Sequence, residues 1–226
     1  MRFSATGSYG REPLPPPSRI LFREMKWLCA RGHGGKLNIS LLWKILLDAW
    51  ILSEIALAIA THRRASDGKS KDRGSLAVLW VTIPLAITAA GFINGRIQAN
   101  IFDGAHQLID LAAFVFLFIG LVIRWTAIIS LGKSFTVNVA IHETQTVYQG
   151  GLYRLVRHPS YTGMMLAILA VAIAQGNWLS FTVVLLPITA ALLYRIHVEE
   201  AALNEAFGEQ YAEYSQRTKR LIPGIY

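Results

Sequence analysis

The sequence predicts an all-α integral membrane protein of about five transmembrane helices, the last two a helical hairpin, with a cytoplasmic loop and a C-terminal interfacial helix beside them. Three observations predict it. Of 226 residues, 53% are hydrophobic and 16% charged, and the mean hydropathy of +0.39 is too apolar for a water-surrounded enzyme of this size. The charges are bunched beside apolar runs rather than spread. From His158 to Tyr194, 37 consecutive residues contain no Asp, Glu, Lys or Arg; as one helix they would extend roughly 55 Å, nearly two membrane thicknesses.

This composition excludes a disordered chain. The single cysteine, Cys29, belongs to no C-x-x-C pair, so neither a disulfide framework nor a thiolate zinc site is indicated, and no metal is implied. A net charge of +8 raises the question of nucleic acid. Seven basic residues precede Leu37, however, and five lie between Arg63 and Arg73, where they suit bilayer headgroups better than a phosphate-tracking groove.

Residues 1–36 contain Pro13, Pro15, Pro16 and Pro17 and several arginines, and read as a basic, flexible tail. They are no signal peptide, because Arg23, Glu24 and Lys26 interrupt the most apolar stretch; Met25 offers an alternative start. Residues 37–123 carry the N-terminal spans. The first, about 38–60, contains Lys44, Asp48 and Glu54; Lys44 and Asp48 are four apart on one helix face and can neutralise each other. The second, 75–95, is free of charged residues until Arg96 and carries Pro84, a candidate kink. The third centres on 111–123 with Asp110 and Arg124 as flanks. Residues 130–157 are too polar to span and suggest extended backbone and turns. The long apolar run is divided by Gln175-Gly176-Asn177 into arms of about 159–174 and 178–194. The distribution of Lys and Arg places 61–74, 130–157 and the C-terminal tail in the cytoplasm; the basic N-terminal tail then falls outside, against the same rule.

Functional polarity after residue 130 collects at one membrane level. Proline suits the first helical position and moves its predecessor out of the α region, so Arg157 and His158 occupy a turn and Ser160 and Tyr161 open a helix whose free amides attract anions. Arg195 and Glu199 share a face of the emerging fifth helix, where a plain salt bridge explains them equally well. Leu203, Phe207, Tyr211 and Tyr214 form a stripe that reads as packing for an interfacial helix.

The elements Gly151-x-Tyr153-x-x-x-Arg157-His158-Pro159-x-Tyr161-x-Gly163, Arg195-x-x-x-Glu199-Glu200 and Phe207-Gly208-x-x-Tyr211-x-x-Tyr214 together resemble the isoprenylcysteine carboxyl methyltransferase family. The likeness extends back through Arg124-Trp125 and 131–136, so residues 124–226 read as the catalytic region. The resemblance implies a membrane enzyme using S-adenosyl-L-methionine, active at the cytoplasmic face on a lipidic or prenylated carboxylate. No Gly-x-Gly-x-x-Gly fingerprint is present, in keeping with a methyltransferase of another kind than the soluble Rossmann type. Carried over residue by residue, the resemblance gives the cofactor Asn138, Gln145, Thr146, Val147, Tyr148, Tyr153, His158, Pro159, Ser160, Tyr161 and Glu199, and gives the substrate Arg195 as catalytic residue. Asn138 stands where prenylcysteine enzymes have a longer amide, and Gln145 where a histidine is usual. The alternatives are methylation of a lipid amine or hydroxyl, which needs a base such as His158 or His197, a sterol-type reductase, and a non-catalytic scaffold.

Overall fold

The structure, a computed structural model, describes residues 38–65, 74–96, 106–132 and 147–226. Among these, all regular structure is helical: α1 (Ile39–Ala65), α2 (Ser75–Arg96), α3 (His106–Leu131), a 3-10 turn (Gly151–Arg154), α4 (Pro159–Ala174), α5 (Trp178–Phe207) and α6 (Glu209–Arg217). A single parallel bridge joins Val156 to Lys219. By length and composition α2, α3 and α5 can cross a membrane, while α4 is apolar but shorter. Large apolar side chains such as Leu52, Val81, Leu85, Phe92, Phe118 and Leu186 point outward, an outer surface that water would penalise and lipid would not.

The helices pack side by side in the order α1, α3, α4, α5, α2. That order makes an open crescent whose ends, α1 and α2, make no comparable packing with each other among the described residues. Its core is rich in small side chains, including Ala86, Ala113, Ala167, Ala170 and Ala191, which let backbones approach where lipid supplies no hydrophobic force between helices. The closest crossing is α3 on α4. A Cβ on Gly163 would lie 2.5 Å from the Gly120 carbonyl oxygen and 2.6 Å from the Arg124 amide, and one on Gly120 would lie 2.7 Å from the Gly163 carbonyl oxygen. Gly163, the last residue of the Arg-His-Pro-x-Tyr-x-Gly element, is therefore required by packing.

Helix boundaries follow local chemistry. Pro159 takes the first position of α4, where its missing N–H costs nothing. The Asn177 side chain caps α5 by accepting from Leu179 N (2.8 Å) and Ser180 N (3.3 Å). α5 then runs thirteen residues past the hairpin arm expected from the sequence, because nothing in 195–207 breaks a helix, and Gly208, at φ 52°, ends it.

Two expectations are corrected. Arg124 does not flank the third span: α3 continues to Leu131, and Arg124 is buried within it. Lys44 and Asp48 are exposed, and no ion pair joins them among the described residues. The charge that is neutralised in α1 is instead Glu54, which accepts a two-pronged ion pair from Arg124 (Nη2 to Oε2 2.6 Å, with Nε to Oε1 also bonded) and a bond from Trp50 Nε1 at 3.0 Å. Long-range pairing across helices satisfies a buried guanidinium better than a local pair exposed on one face. Arg124 Nη1 also reaches Ser160 Oγ at 3.0 Å, tying α1, α3 and α4 together.

Glu54→Ala, which leaves the Arg124 charge buried without a counter-ion, is expected to cost about 3 kcal/mol, measured as a lower thermal midpoint in detergent; Glu54→Leu with Arg124→Met should recover most of it. Gly163→Ala should destabilise by about 2 kcal/mol through overpacking against backbone atoms, with the same readout.

Candidate active site

The concave side of the crescent encloses a cavity of about 820 Å³, a volume suited to a small molecule. At one end its wall is polar, and there the first turn of α4 is tied residue by residue to its surroundings. Ser160 receives Arg124. The Tyr161 hydroxyl donates to Glu199 Oε2 at 2.7 Å and accepts from Arg195 Nε at 3.3 Å. Thr162 Oγ1 donates to the Leu221 carbonyl at 2.8 Å. Arg195 is only 2% exposed, and its Nη1 donates to Ser75 Oγ at 2.7 Å, so the first residue of α2 helps to aim it. A guanidinium and a carboxylate thus share one phenolic hydroxyl at the cavity wall.

A second cluster lies directly behind. Glu200 accepts from Arg157 Nε (2.9 Å) and Arg220 Nε (2.8 Å), and its Oε1 lies 3.3 Å from His158 Nε2. Arg157 also donates to the carbonyls of Ser215 (2.8 Å) and Thr218. The amides of Arg157 and His158 reach the carbonyls of Lys219 and Arg220. The C-terminal segment is therefore strapped under the Arg157-His158-Pro159 turn, and Arg157 serves as a strut rather than as a headgroup anchor.

Aromatic rings complete the polar end. Tyr148 and Tyr153 meet edge to face at 5.5 Å, as do Tyr211 and Tyr214 at 6.0 Å. Tyr214 donates to the Tyr153 carbonyl at 2.7 Å. Burial raises the Tyr153 hydroxyl above its ordinary value and pushes Tyr214 up to about 12, so both remain neutral donors at neutral pH. The Tyr211 hydroxyl is buried with no hydrogen-bond partner among the described residues.

Of the residues expected at the site, Val147, Tyr148, Tyr153, His158, Ser160, Tyr161, Arg195 and Glu199 all line the cavity. Pro159 is fully buried beside it and acts as helix starter. Asn138, Gln145 and Thr146 lie outside the described residues. The amides of Tyr161 and Thr162 both reach the His158 carbonyl, and among the described residues the Ser160 N–H takes no such backbone bond. The arrangement fits a ligand that carries both charges and an aromatic ring: a helix start for its anionic group, the Glu199 carboxylate for its cationic group, and tyrosine faces at one level.

Sequence reasoning missed Trp50, Glu54 and Arg124 in the cavity wall, Ser75 as the partner of Arg195, and the turn of the Leu203, Phe207, Tyr211 and Tyr214 stripe toward the cavity. Glu54 could have been found as the charge in an apolar span with no opposite charge three or four residues away. Ser75 and Arg195 are 120 residues apart and carry no local signal.

Comparison with known proteins then adds independent information. Residues 111–205 match the model of the isoprenylcysteine carboxyl methyltransferase family. Protein-S-isoprenylcysteine O-methyltransferase B of Arabidopsis thaliana is 31% identical over 177 residues, covering 76% of this chain and 87% of that protein. A probable protein-S-isoprenylcysteine O-methyltransferase of Oryza sativa subsp. indica is 33% identical over 122 residues, covering 53% of this chain; the match spans only 64% of the rice protein. A solved structure of the eukaryotic intramembrane Ras methyltransferase is 25% identical, with a TM-score of 0.49 over 67% of this chain and 51% of that one. The Arabidopsis likeness, which takes in nearly the whole of that relative, shows that the chain belongs to the isoprenylcysteine carboxyl methyltransferase family.

Proposed function

We propose that this protein transfers a methyl group from S-adenosyl-L-methionine to the carboxylate of a membrane-embedded, isoprenylcysteine-like substrate, at the cytoplasmic face of a multi-pass fold in which α1 to α5 all span. The observation that carries the reading is Arg195 and Glu199 joined through the Tyr161 hydroxyl at the polar end of an otherwise apolar cavity. The names of the Arabidopsis and rice relatives supply the substrate class.

S-adenosylmethionine, when bound, supplies an electrophilic methyl on a sulfonium. A substrate carboxylate is already anionic at neutral pH, so no residue has to remove a proton, and the protein's task is to bind, orient and exclude water. Arg195 offers that carboxylate a charge-assisted hydrogen bond, with its aim set by Ser75 and Tyr161. Glu199 holds the cationic part of the cofactor, Ser160 N–H meets its carboxylate, and Tyr153 and Tyr161 flank its adenosine, with Val147, Tyr148 and His158 beside them. Asn138, Gln145 and Thr146 belong to the same proposed site. The substrate's apolar tail enters sideways between α1 and α2, where the crescent is open. Because Trp50, Glu54 and Ser75 reach the site from the first two helices, the N-terminal spans are part of the enzyme, and residues 124–226 alone would not make it.

Purified protein in detergent with tritiated methyl donor should label farnesylated thiol carboxylates and leave phospholipids unlabelled; label only on amines or hydroxyls would refute the carboxylate reading. Arg195→Ala should abolish turnover, at least a hundredfold, with S-adenosylhomocysteine affinity by calorimetry nearly unchanged. Glu199→Gln should weaken that affinity about tenfold. The kcat/KM profile should stay flat across neutral pH, since neither a base nor the buried tyrosines titrate there; a bell-shaped profile would point instead to base-assisted methylation of an amine or hydroxyl.

A further inference from the structure

We infer that Tyr211 is a further binding residue for the cofactor, its buried hydroxyl donating a hydrogen bond to a ring nitrogen of the adenine. The inference rests on the methyltransferase reading and extends it to a residue whose spacing in the chain reads as packing alone. Tyr211 stands in the first turn of α6, is 2% exposed and lines the cavity. Among the described residues its hydroxyl is the only buried side-chain oxygen or nitrogen without a hydrogen-bond partner. Packing accounts for the ring and not for the oxygen. A hydroxyl withdrawn from water and left unpaired is a cost that phenylalanine at the same position would not carry.

The neighbouring tyrosines show that this open valence is particular to Tyr211. The Tyr214 hydroxyl donates to the Tyr153 carbonyl at 2.7 Å, and that of Tyr153 reaches the Ala127 carbonyl at 3.5 Å. Tyr161 is bonded to both Glu199 and Arg195, and Tyr148 is an exposed residue. The backbone of α6 is held one turn further on, by the Tyr214 bond and by Arg157 donating to the Ser215 and Thr218 carbonyls, which fixes where the Tyr211 ring lies. Burial, with the charge of Glu200 adding to it, pushes the Tyr211 hydroxyl above its ordinary value. It therefore stays protonated at neutral pH and can donate. Tyr148, Tyr153, Tyr211 and Tyr214 are linked edge to face and through the Tyr214 bond, and all four line the cavity. Aromatic surfaces of this kind receive a flat base. Adenine's ring nitrogens are acceptors, and they match a donor with no other duty. The charged amino-acid end of the cofactor already has Glu199 and the start of α4.

The test compares wild type with Tyr211→Phe, both as full chains in detergent, by calorimetry with S-adenosylhomocysteine and by thermal melting without ligand. The variant should bind about five- to tenfold more weakly, while its ligand-free midpoint stays equal or rises because the unpaired hydroxyl is gone. A lower ligand-free midpoint would mean that the hydroxyl is paired within the protein, and unchanged affinity that it does not touch the cofactor; either overturns the inference and leaves the carboxylate reading intact. Analogues of S-adenosylhomocysteine in which one ring nitrogen of the base is replaced by carbon identify the acceptor. One of them should bind wild type as weakly as the unaltered ligand binds Tyr211→Phe, and should bind both proteins alike. If only an analogue lacking a ribose hydroxyl behaves in this way, the assignment to adenine falls. Failure of wild type to bind S-adenosylhomocysteine at all would overturn the methyltransferase reading as well.

Discussion

Four consecutive residues, His158 to Ser160 to Tyr161 in the opening turn of α4, meet nearly every other element of the molecule. His158 faces Glu200 on α5 and, through its backbone, the C-terminal segment. Ser160 receives Arg124 of α3, which itself holds Glu54 of α1. Tyr161 joins Arg195 and Glu199 of α5, and Arg195 continues to Ser75 of α2. Proline between them makes this convergence possible: it fixes where the helix begins, and so in which direction the next two side chains leave. A shift of one residue in that start would turn Tyr161 about 100° away from both of its partners.

Electrostatics explains why the network has to be complete. Arg124 and Arg195 are both buried, and an uncompensated guanidinium in such surroundings is costly enough to unfold a marginally stable protein. Arg124 is matched by a carboxylate from the first helix. Arg195 donates to the hydroxyls of Tyr161 and Ser75, and Tyr161 in turn donates to Glu199. Arg124 is thereby committed to structure, while Arg195 lies at the cavity wall. The adjacent glutamates differ likewise: Glu200 is consumed by two arginines, with His158 beside it, while Glu199 lines the cavity and accepts from Tyr161.

The shape of the crescent connects this polar end to a lipid acceptor. Since α1 packs on α3 and α2 on α5, the two outermost helices leave a side opening along an apolar groove. On the proposed reading, a tail dissolved in lipid would enter without crossing water and its carboxylate would meet the buried Arg195.

By itself, the sequence determined the helical membrane class, the first hairpin arm 159–174 and the start of the second at 178, and most of the residues expected at the polar end. These follow from information local in the chain: hydropathy over twenty residues, a proline that starts a helix, an asparagine that caps one, and spacings of four that share a face. Only the tertiary structure decided which charges neutralise each other and which serve the site. Lys44 and Asp48, four apart, looked like a pair and are both exposed; Glu54 and Arg124, seventy residues apart, are the pair that forms. Ser75 could not be connected to Arg195 until α2 was packed on α5. Pairing across helices depends on how backbones pack, and small residues such as Gly120 and Gly163 permit that packing without stating in sequence which partner each will meet.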